Sequence, residues 1–344
     1  MKKIKWGIVG LGKIARIFAK GFSFTKNSEL VAVASKKASN LNYFKNNFSI
    51  KENYCFNSYK DLINCPDVDV VYISLPNSYH YEWIMECLKA NKNVFVEKPA
   101  VTSFDQMKKL QNLLKNKEIF FSEAFMYRHC PHIKKLSEEI KKGTIGKINY
   151  MESSFHIKIY NFIKIFGLTI KKPNFSNRLF NLDLGGGSIL DLGCYPVSLS
   201  TYLNSIINPS NNYYVKLENI KKNICPSGVD ISSSANIKFN SGFTCKVSSS
   251  FENKYNQETI IYGDNGNIKV LDTWSPNKVC EIELNNNSEK KIIKIDLNEN
   301  IYSYEISNIS DQISKKEYIP YFPSINVDEI MLNTSILEKW VSYK

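Results

Sequence analysis

The sequence predicts an α/β protein in which an N-terminal doubly wound parallel sheet is followed by a C-terminal α+β domain with a large, mostly antiparallel sheet. Three observations predict it. The first third alternates amphipathic stretches with short runs that are apolar on both faces, the pattern of parallel strands covered by helices. After residue 148 apolar and polar residues alternate between turn residues such as Gly263-Asp264-Asn265-Gly266, as in antiparallel strands with one covered face. The chain has 344 residues, more than one core ordinarily serves, so two domains are expected, at 1–122 and 123–344.

Taken in order, "KIKWGIVG" reads as a strand and "KIARIFAKGF" as a helix with Ile14, Ile17, Phe18 and Phe22 on one face. "SELVAVAS" is a second strand, followed by the helix "ASNLNYFKNNF", the strand "VDVVYISLP" and the helix "YEWIMECLKA". The strand "NVFVEKP" and the helix "SFDQMKKLQNLLKN" lead to "IFFSEAF", where the first domain is expected to end. In the second half "INYMESSFHIKIY", "NNYYVKLENI", "SSANIKFNSGFTCKVSSSFEN", "QETIIYGDNGNIKVLD" and "KVCEIELNN" supply the antiparallel strands, and "VDEIMLNTSILEKWVSY" a closing helix. The stretch from Asn161 to Asn181 reads as irregular, a loop over a site or part of an oligomer contact.

Composition narrows the function classes. Hydrophobic residues at 43% and charged residues at 23% describe a globular protein, and no apolar stretch approaches the roughly 20 residues that span a bilayer. The basic, briefly apolar start is broken by Gly10, Gly12 and Lys13, and no small-residue cleavage site follows, so secretion is not expected. Eight cysteines without a Cys-x-x-Cys pair indicate neither a metal site nor a disulfide framework, and fit a cytoplasmic protein with reduced thiols. The net charge of +12 comes with Lys, Asn and Ile enrichment throughout and forms no dense basic block with interleaved aromatics. An anionic cofactor or substrate is therefore expected, and nucleic acid and membrane partners are not.

The sharpest motif is Gly10, Gly12 and Ala15 between the first strand and the first helix. In this G-x-G-x-x-A pattern the first glycine makes the turn, the second lets backbone approach a pyrophosphate, and the small third residue packs helix on strand. Lys13 and Ile14 open the helix, whose N-terminal N–H groups suit the anion. At the end of the second strand an NAD site would place an acid, but this sequence has Ser35, Lys36 and Lys37. A hydroxyl and two cations suit the 2′-phosphate of NADP, with NAD the less favoured cofactor. Ser74, Pro76, Asn77 and His80 in "YISLPNSYH", and Glu97 and Lys98 in "NVFVEKPA", lie at carboxyl ends of later strands, where such sheets bind ligands. Farther on, "LGGGSILDLGCYPV" places Asp191 and Tyr195 four residues apart, on one face if the segment is helical, although Pro196 restricts the helix to start there.

The G-L-G-K-I-A turn, "EKPA", "EAFMYRHCPH" at 123–132 and "GGGSILDLGCYPV", in this order, resemble the Gfo/Idh/MocA oxidoreductase family. The resemblance implies a Rossmann domain, a second domain whose open sheet face commonly makes homodimers or homotetramers, and bound NAD(P). It assigns Lys98 as catalytic lysine and Asp191 as the aspartate that orients substrate. Tyr195 stands where inositol dehydrogenase-like members have histidine and where the sugar and dihydrodiol dehydrogenase branch has tyrosine, which favours a carbohydrate or diol over a cyclitol. Tyr127, Arg128 and His129 would border nicotinamide or substrate, with Arg128 counted among the cofactor-binding residues.

On this reading Tyr195 takes the proton of a substrate hydroxyl as hydride leaves the same carbon for the nicotinamide, and both steps reverse in reduction. A free tyrosine has a pKa of about 10, so a nearby cation such as Lys98 must favour its phenolate. Three other readings stay open: a sugar-nucleotide 3-dehydrogenase or ketoreductase, an enzyme that recycles a tightly held dinucleotide, and a non-catalytic nucleotide-binding sensor.

Overall fold

The computed structural model describes residues 3–343 apart from 160, 166–167, 173–176, 210–213, 253–256, 288 and 299. The chain divides into two compact units, Met1–Cys130 with Asn298–Ile330 and Pro131–Leu297 with Met331–Lys344. The first unit thus runs eight residues past the expected boundary at 122 and takes back a later segment.

The first unit is built on six parallel strands, β1 (Ile4–Val9), β2 (Ser28–Ala34), β3 (Cys55–Phe56), β4 (Val70–Ile73), β5 (Asn93–Glu97) and β6 (Phe121–Ala124), in the order β3-β2-β1-β4-β5-β6. Its helices are α1 (Lys13–Gly21), α2 (Ala38–Phe48), α3 (Tyr59–Ile63), α4 (His80–Lys89), α5 (Phe104–Leu114) and the single turn α6 (Met126–His129). The strand order reverses between β1 and β4, and ligands of open α/β sheets bind at such a reversal, outside the carboxyl ends of the strands. Two short elements, β3 and α3, escaped the sequence reading because neither is long enough to show a period.

The second unit contains α7 (Pro131–Lys141), α8 (Cys194–Ile207) and ten strands: β7 (Ile148–His156), β8 (Asn161–Ile165), β9 (Leu168–Lys172), β10 (Val215–Ile224), β11 (Asp230–Phe239), β12 (Thr244–Ser250), β13 (Thr259–Gly263), β14 (Gly266–Val270), β15 (Val279–Asn286) and β16 (Lys290–Asp296). Eight of them form one sheet in the order β10-β11-β12-β7-β13-β14-β15-β16. Every neighbouring pair is antiparallel except β12 with β7. Along β11 the residues Ile231, Ser233, Ala235, Ile237 and Phe239 are buried, the period-two signature of one covered face. β8 and β9 pair as a separate antiparallel hairpin, which corrects the expectation of an irregular stretch from 161 to 181.

Two helices complete the chain, α9 (Tyr302–Ser314) and α10 (Val327–Ser342). α9 belongs to the first unit because Ile306, Ile309 and Ile313 join a core with Trp6, Phe18, Tyr72 and Phe95, and because Trp6 Nε1 donates to Ser310 Oγ at 2.9 Å. Its spacing of i, i+3, i+7 is an ordinary helical signal hidden among Ser and Asn. α10 anchors in the second unit through Trp340 Nε1, which donates to Ser233 Oγ at 2.8 Å. On α1 the buried stripe is Ala15, Phe18, Ala19 and Gly21, while Ile17 faces outward. Small residues let α9 come close: a Cβ on Gly21 would lie 2.8 Å from Ile306 Cδ1.

Candidate active site

The glycine turn after β1 explains itself atom by atom. Gly10 adopts φ +86°, and a Cβ there would lie 2.9 Å from the Ser74 carbonyl oxygen, so only glycine fits without strain. At Gly12, the N-cap of α1, a Cβ would meet no protein atom within 4 Å. The helix start has no side-chain cap and no acidic residue in its first turn, so no side chain offsets the partial positive charge of its N–H groups. Such a helix start suits a pyrophosphate. Ser74 serves the turn itself, its Oγ donating to the Gly10 carbonyl at 2.5 Å. Lys13 is exposed at the first helical position and Ile14 is half-buried behind it.

The next feature in the first unit is the end of β2. Ser35 is buried and its Oγ accepts from the Lys37 N–H at 3.1 Å, while Lys36 and Lys37 are exposed. Lys37 is the N-cap of α2, which also lacks a side-chain cap and an acid in its first turn. Arg16, which the sequence reading passed over, reaches this place from α1: NH2 donates to Asn40 Oδ1 at 3.1 Å, and the guanidinium lies 4.1 Å from the Tyr43 ring centroid. Its Nε is buried without a hydrogen-bond partner. The end of β2 and the start of α2 thus carry Lys36 and Lys37, and Arg16 reaches Asn40 in the first turn of α2; cations beside an uncapped helix start suit phosphate.

The ends of β4, β5 and β6 carry Lys98 on a braced turn. Lys98 is half-buried one residue beyond β5 and is followed by a cis peptide bond to Pro99. His80, fully buried, places Nδ1 2.9 Å from the Pro99 carbonyl and Nε2 2.8 Å from the Leu75 carbonyl, and so ties the β4 loop to the β5 turn. Glu123 Oε1 accepts from the Ala100 N–H at 2.8 Å. Burial raises the Glu123 carboxyl to about 7, against the lowering effects of that N–H, Arg128 and Lys98. Glu97 Oε1 accepts from Tyr72 Oη at 2.5 Å. Behind it, burial and then the Glu97 charge push the Glu305 carboxyl well above its ordinary value. Pro76 starts a turn at 77–79, and Asn77 is buried there.

Arg128, expected among the cofactor-binding residues, is bonded within its own unit. Its NH1 and NH2 donate to Glu329 Oε1 and Oε2 at 3.1 and 3.4 Å, and its Nε to the Pro323 carbonyl at 3.2 Å. With 1% of its side chain exposed, it fastens α6 to the segment that leads into α10. Its neighbour His129 is buried and pushed down to about 3, by desolvation first and the Arg128 charge second. His129 is therefore neutral, and its Nδ1 lies 3.3 Å from Asn308 Nδ2. Tyr127 is fully buried with an edge contact to Phe125.

In the second unit the triple glycine threads a narrow gap. A Cβ on Gly186 would lie 2.7 Å from the carbonyl oxygens of both Arg178 and Leu179. Gly187, at φ +117°, would place one 2.4 Å from Asp230 Oδ1. The chain then makes a π-helical turn at Ile189–Gly193 before α8 begins, so Asp191 lies in the π turn and Tyr195 at the second residue of α8. Pro196 follows in the first α turn, where its missing N–H is tolerated; π turns recur at functional sites. Asp191 Oδ1 pairs with Arg178 NH2 at 3.1 Å. Tyr195 meets a stacked aromatic pair edge-on, 5.0 Å from the Phe155 centroid at 88° and 5.7 Å from that of Trp274 at 64°, with Phe155 and Trp274 6.0 Å apart. Trp274 is fixed in turn by its Nε1, which donates to the Ser154 carbonyl at 2.7 Å. Arg178, Phe155 and Trp274 were missed by the sequence reading, since each lies far along the chain from the residue it serves.

Two domain profiles match the chain, "Oxidoreductase family, NAD-binding Rossmann fold" over residues 4–125 and "GFO/IDH/MocA C-terminal domain" over residues 133–269. The chain belongs to the Gfo/Idh/MocA family. Among relatives of this Gfo/Idh/MocA protein, trans-1,2-dihydrobenzene-1,2-diol dehydrogenase of Xenopus tropicalis is 27% identical over 278 residues, 80% of this chain and 78% of that enzyme. D-xylose 1-dehydrogenase (NADP(+)) of Hypocrea jecorina is 34% identical over 208 residues, 57% of this chain and 51% of that enzyme. A 3-ketoreductase from Actinomadura kijaniata, solved with NADP and TDP-benzene, shares the fold at a TM-score of 0.82 and 20% identity, covering 98% of this chain and 97% of that one. By family, then, this Gfo/Idh/MocA chain is an oxidoreductase with a Rossmann domain. Among its described residues no helix is long and apolar enough to cross a membrane.

Proposed function

We propose that this protein is an NADP-dependent oxidoreductase that interconverts a hydroxyl and a ketone on a sugar or sugar-like diol, with Tyr195 as acid/base and Lys98 as its electrostatic partner. The observation that carries the reading is the setting of Tyr195, a phenol held edge-on by Phe155 and Trp274 one turn after the Asp191–Arg178 pair. Tyr195 is buried against this aromatic pair, and burial strengthens charge interactions at its side chain. Asp191 offers carboxylate acceptors and Arg178 offers N–H donors, the complement of adjacent sugar hydroxyls. The choice of NADP rests on Ser35, Lys36, Lys37 and Arg16 at the uncapped start of α2, and it agrees with the cofactor named for the xylose dehydrogenase relative.

When bound, NADP supplies the hydride acceptor or donor. Gly10, Gly12 and the α1 N-terminus would hold its pyrophosphate and the β2 end its 2′-phosphate. In oxidation Tyr195 Oη accepts the substrate hydroxyl proton, and in reduction it returns that proton to the ketone oxygen. The Lys98 ammonium favours the phenolate; lowering an effective pKa by two to three pH units corresponds to roughly 3–4 kcal/mol. Asp191 and Arg178 orient the sugar ring.

A second reading, reduction of a 3-keto nucleotide sugar, is favoured by Arg178, whose side chain is 43% exposed beside Asp191 and suits a phosphate. The experiment is a screen of NADPH oxidation with keto-sugars and 3-keto nucleotide sugars, and of NADP reduction with aldoses and trans-diols. Turnover that falls at least ~100-fold in both Tyr195→Phe and Lys98→Ala, with NADPH affinity little changed, supports the mechanism. Near-wild-type turnover in both removes it. Light scattering tests the proposed homodimer or homotetramer.

A further inference from the structure

Asp230 lies at the start of β11, far in sequence from every motif, and is 6% exposed. Its Oδ2 accepts two hydrogen bonds from one place, the Ser188 hydroxyl at 2.6 Å and the Ile189 N–H at 2.8 Å. Ser188 Oγ also lies 3.0 Å from Ser249 Oγ on β12. The other carboxylate oxygen fills the space that a side chain at position 187 would need. These contacts gather on the residues that open the π turn, next to the Asp191 N–H, which donates to the Gly187 carbonyl at 3.1 Å in an i→i−4 bond.

A carboxylate moved from water into a protein interior is unfavourable unless its hydrogen bonds are replaced. Here burial raises the Asp230 carboxyl above its ordinary range, and the Ser188 and Ile189 bonds oppose that rise. An apolar residue there would leave the Ser188 hydroxyl without this acceptor and the Ile189 N–H without its bond, so the carboxylate ties both to β11. An N–H at a helix start otherwise bonds to water or a cap side chain. Asp230 supplies that cap from a different element, and so fixes where the π turn begins.

We infer that Asp230 is a positioning residue for the reaction: through Ser188 and Ile189 it sets the register of the π turn and thereby the aim of Asp191 and Tyr195. The inference rests on the reading of Tyr195 as the acid/base. A misplacement of about 1 Å at a reacting group can reduce turnover by about a hundredfold, and the clamp shares no residue with those proposed to hold NADP.

The test compares Asp230→Ala, Asp230→Asn and Ser188→Ala in the full chain, reading kcat, KM, NADPH affinity by fluorescence titration, and amide exchange over residues 189–195 by mass spectrometry. Asp230→Ala is expected to lose at least ~10-fold in kcat, with NADPH affinity within ~2-fold of wild type and faster exchange at 189–195. Asp230→Asn keeps an oxygen that accepts from both donors and is expected to recover most of kcat. Ser188→Ala retains the Ile189 bond and falls between, so it decides the matter if Asp230→Ala does not fold. Wild-type kcat in a folded Asp230→Ala or Ser188→Ala protein, or unchanged exchange at 189–195, overturns the inference. Faster exchange in Ser188→Ala combined with a wild-type chain that turns over no substrate in the screen overturns the acid/base reading of Tyr195 and leaves the clamp standing.

Discussion

Replacing Glu123 with Gln isolates one buried charge beside the Lys98 turn. In the folded chain the carboxyl titrates at about 7 against an ordinary 4.5, because burial penalises the charged form more than the Ala100 N–H, Arg128 and Lys98 favour it. The fold therefore prefers the protonated acid. That preference contributes its full stability below pH 4.5 and loses it as pH rises through about 7. The separation of the two values corresponds to roughly 3 kcal/mol at 1.36 kcal/mol per pH unit. Gln is neutral throughout, keeps an acceptor for the Ala100 N–H, and places an amide nitrogen where Glu123 Oε2 is buried without a partner. Urea unfolding of both proteins at pH 5 and pH 8, followed by tryptophan fluorescence, reads the difference. The stability of Glu123→Gln relative to wild type should rise by roughly 2.5 kcal/mol between those pH values, since part of the window lies below pH 5. A relative stability that does not change with pH, or falls, refutes the assignment of a buried, protonatable Glu123.

Two further perturbations separate fold from cofactor binding. Gly12→Ala puts a Cβ where no protein atom lies within 4 Å, so stability should fall by no more than the ~1 kcal/mol that separates Gly from Ala at an N-cap, while the NADPH dissociation constant rises at least ~10-fold by titration. Gly10→Ala should instead lose about 1–3 kcal/mol in thermal or urea unfolding, because of its positive φ and the Ser74 carbonyl. Lys36→Asp replaces an exposed cation at the β2 end with an acid that can hold a ribose hydroxyl. The NADPH-to-NADH affinity ratio should fall by at least ~10-fold, equivalent to ~1.4 kcal/mol, and an unchanged ratio in paired titrations counts against Lys36 as a 2′-phosphate ligand.

The fold was legible where burial imposes a period. β1, β2, β4 and β5 carry apolar runs because a parallel sheet covered on both sides favours apolar side chains on both faces, and α2 spans the residues its pattern outlined. The two-residue β3 and five-residue α3 carry too few positions to show one. α9 was lost because Ser303, Glu305, Ser310 and Gln312, all buried there, read as polar while tertiary partners pair some of them: Ser310 with Trp6, Gln312 with Ser324. The glycine motifs were legible because backbone sterics restrict those positions whatever surrounds them. Arg178, Phe155, Trp274 and Asp230 were not, since each owes its role to a neighbour brought close only by folding. His80 and Arg128 show the converse. Their chemistry suits a ligand, and the structure engages His80 with two backbone carbonyls and Arg128 with Glu329.

The most direct test of the central claim is a double-mutant cycle on kcat with Tyr195→Phe, Lys98→Ala and the combined variant, using the best substrate from the screen. If the lysine acts by favouring the tyrosine phenolate, the combined variant should be no more than ~3-fold slower than Tyr195→Phe alone, since Lys98 has nothing left to assist. Independent, multiplying losses would show two unrelated roles and contradict the account.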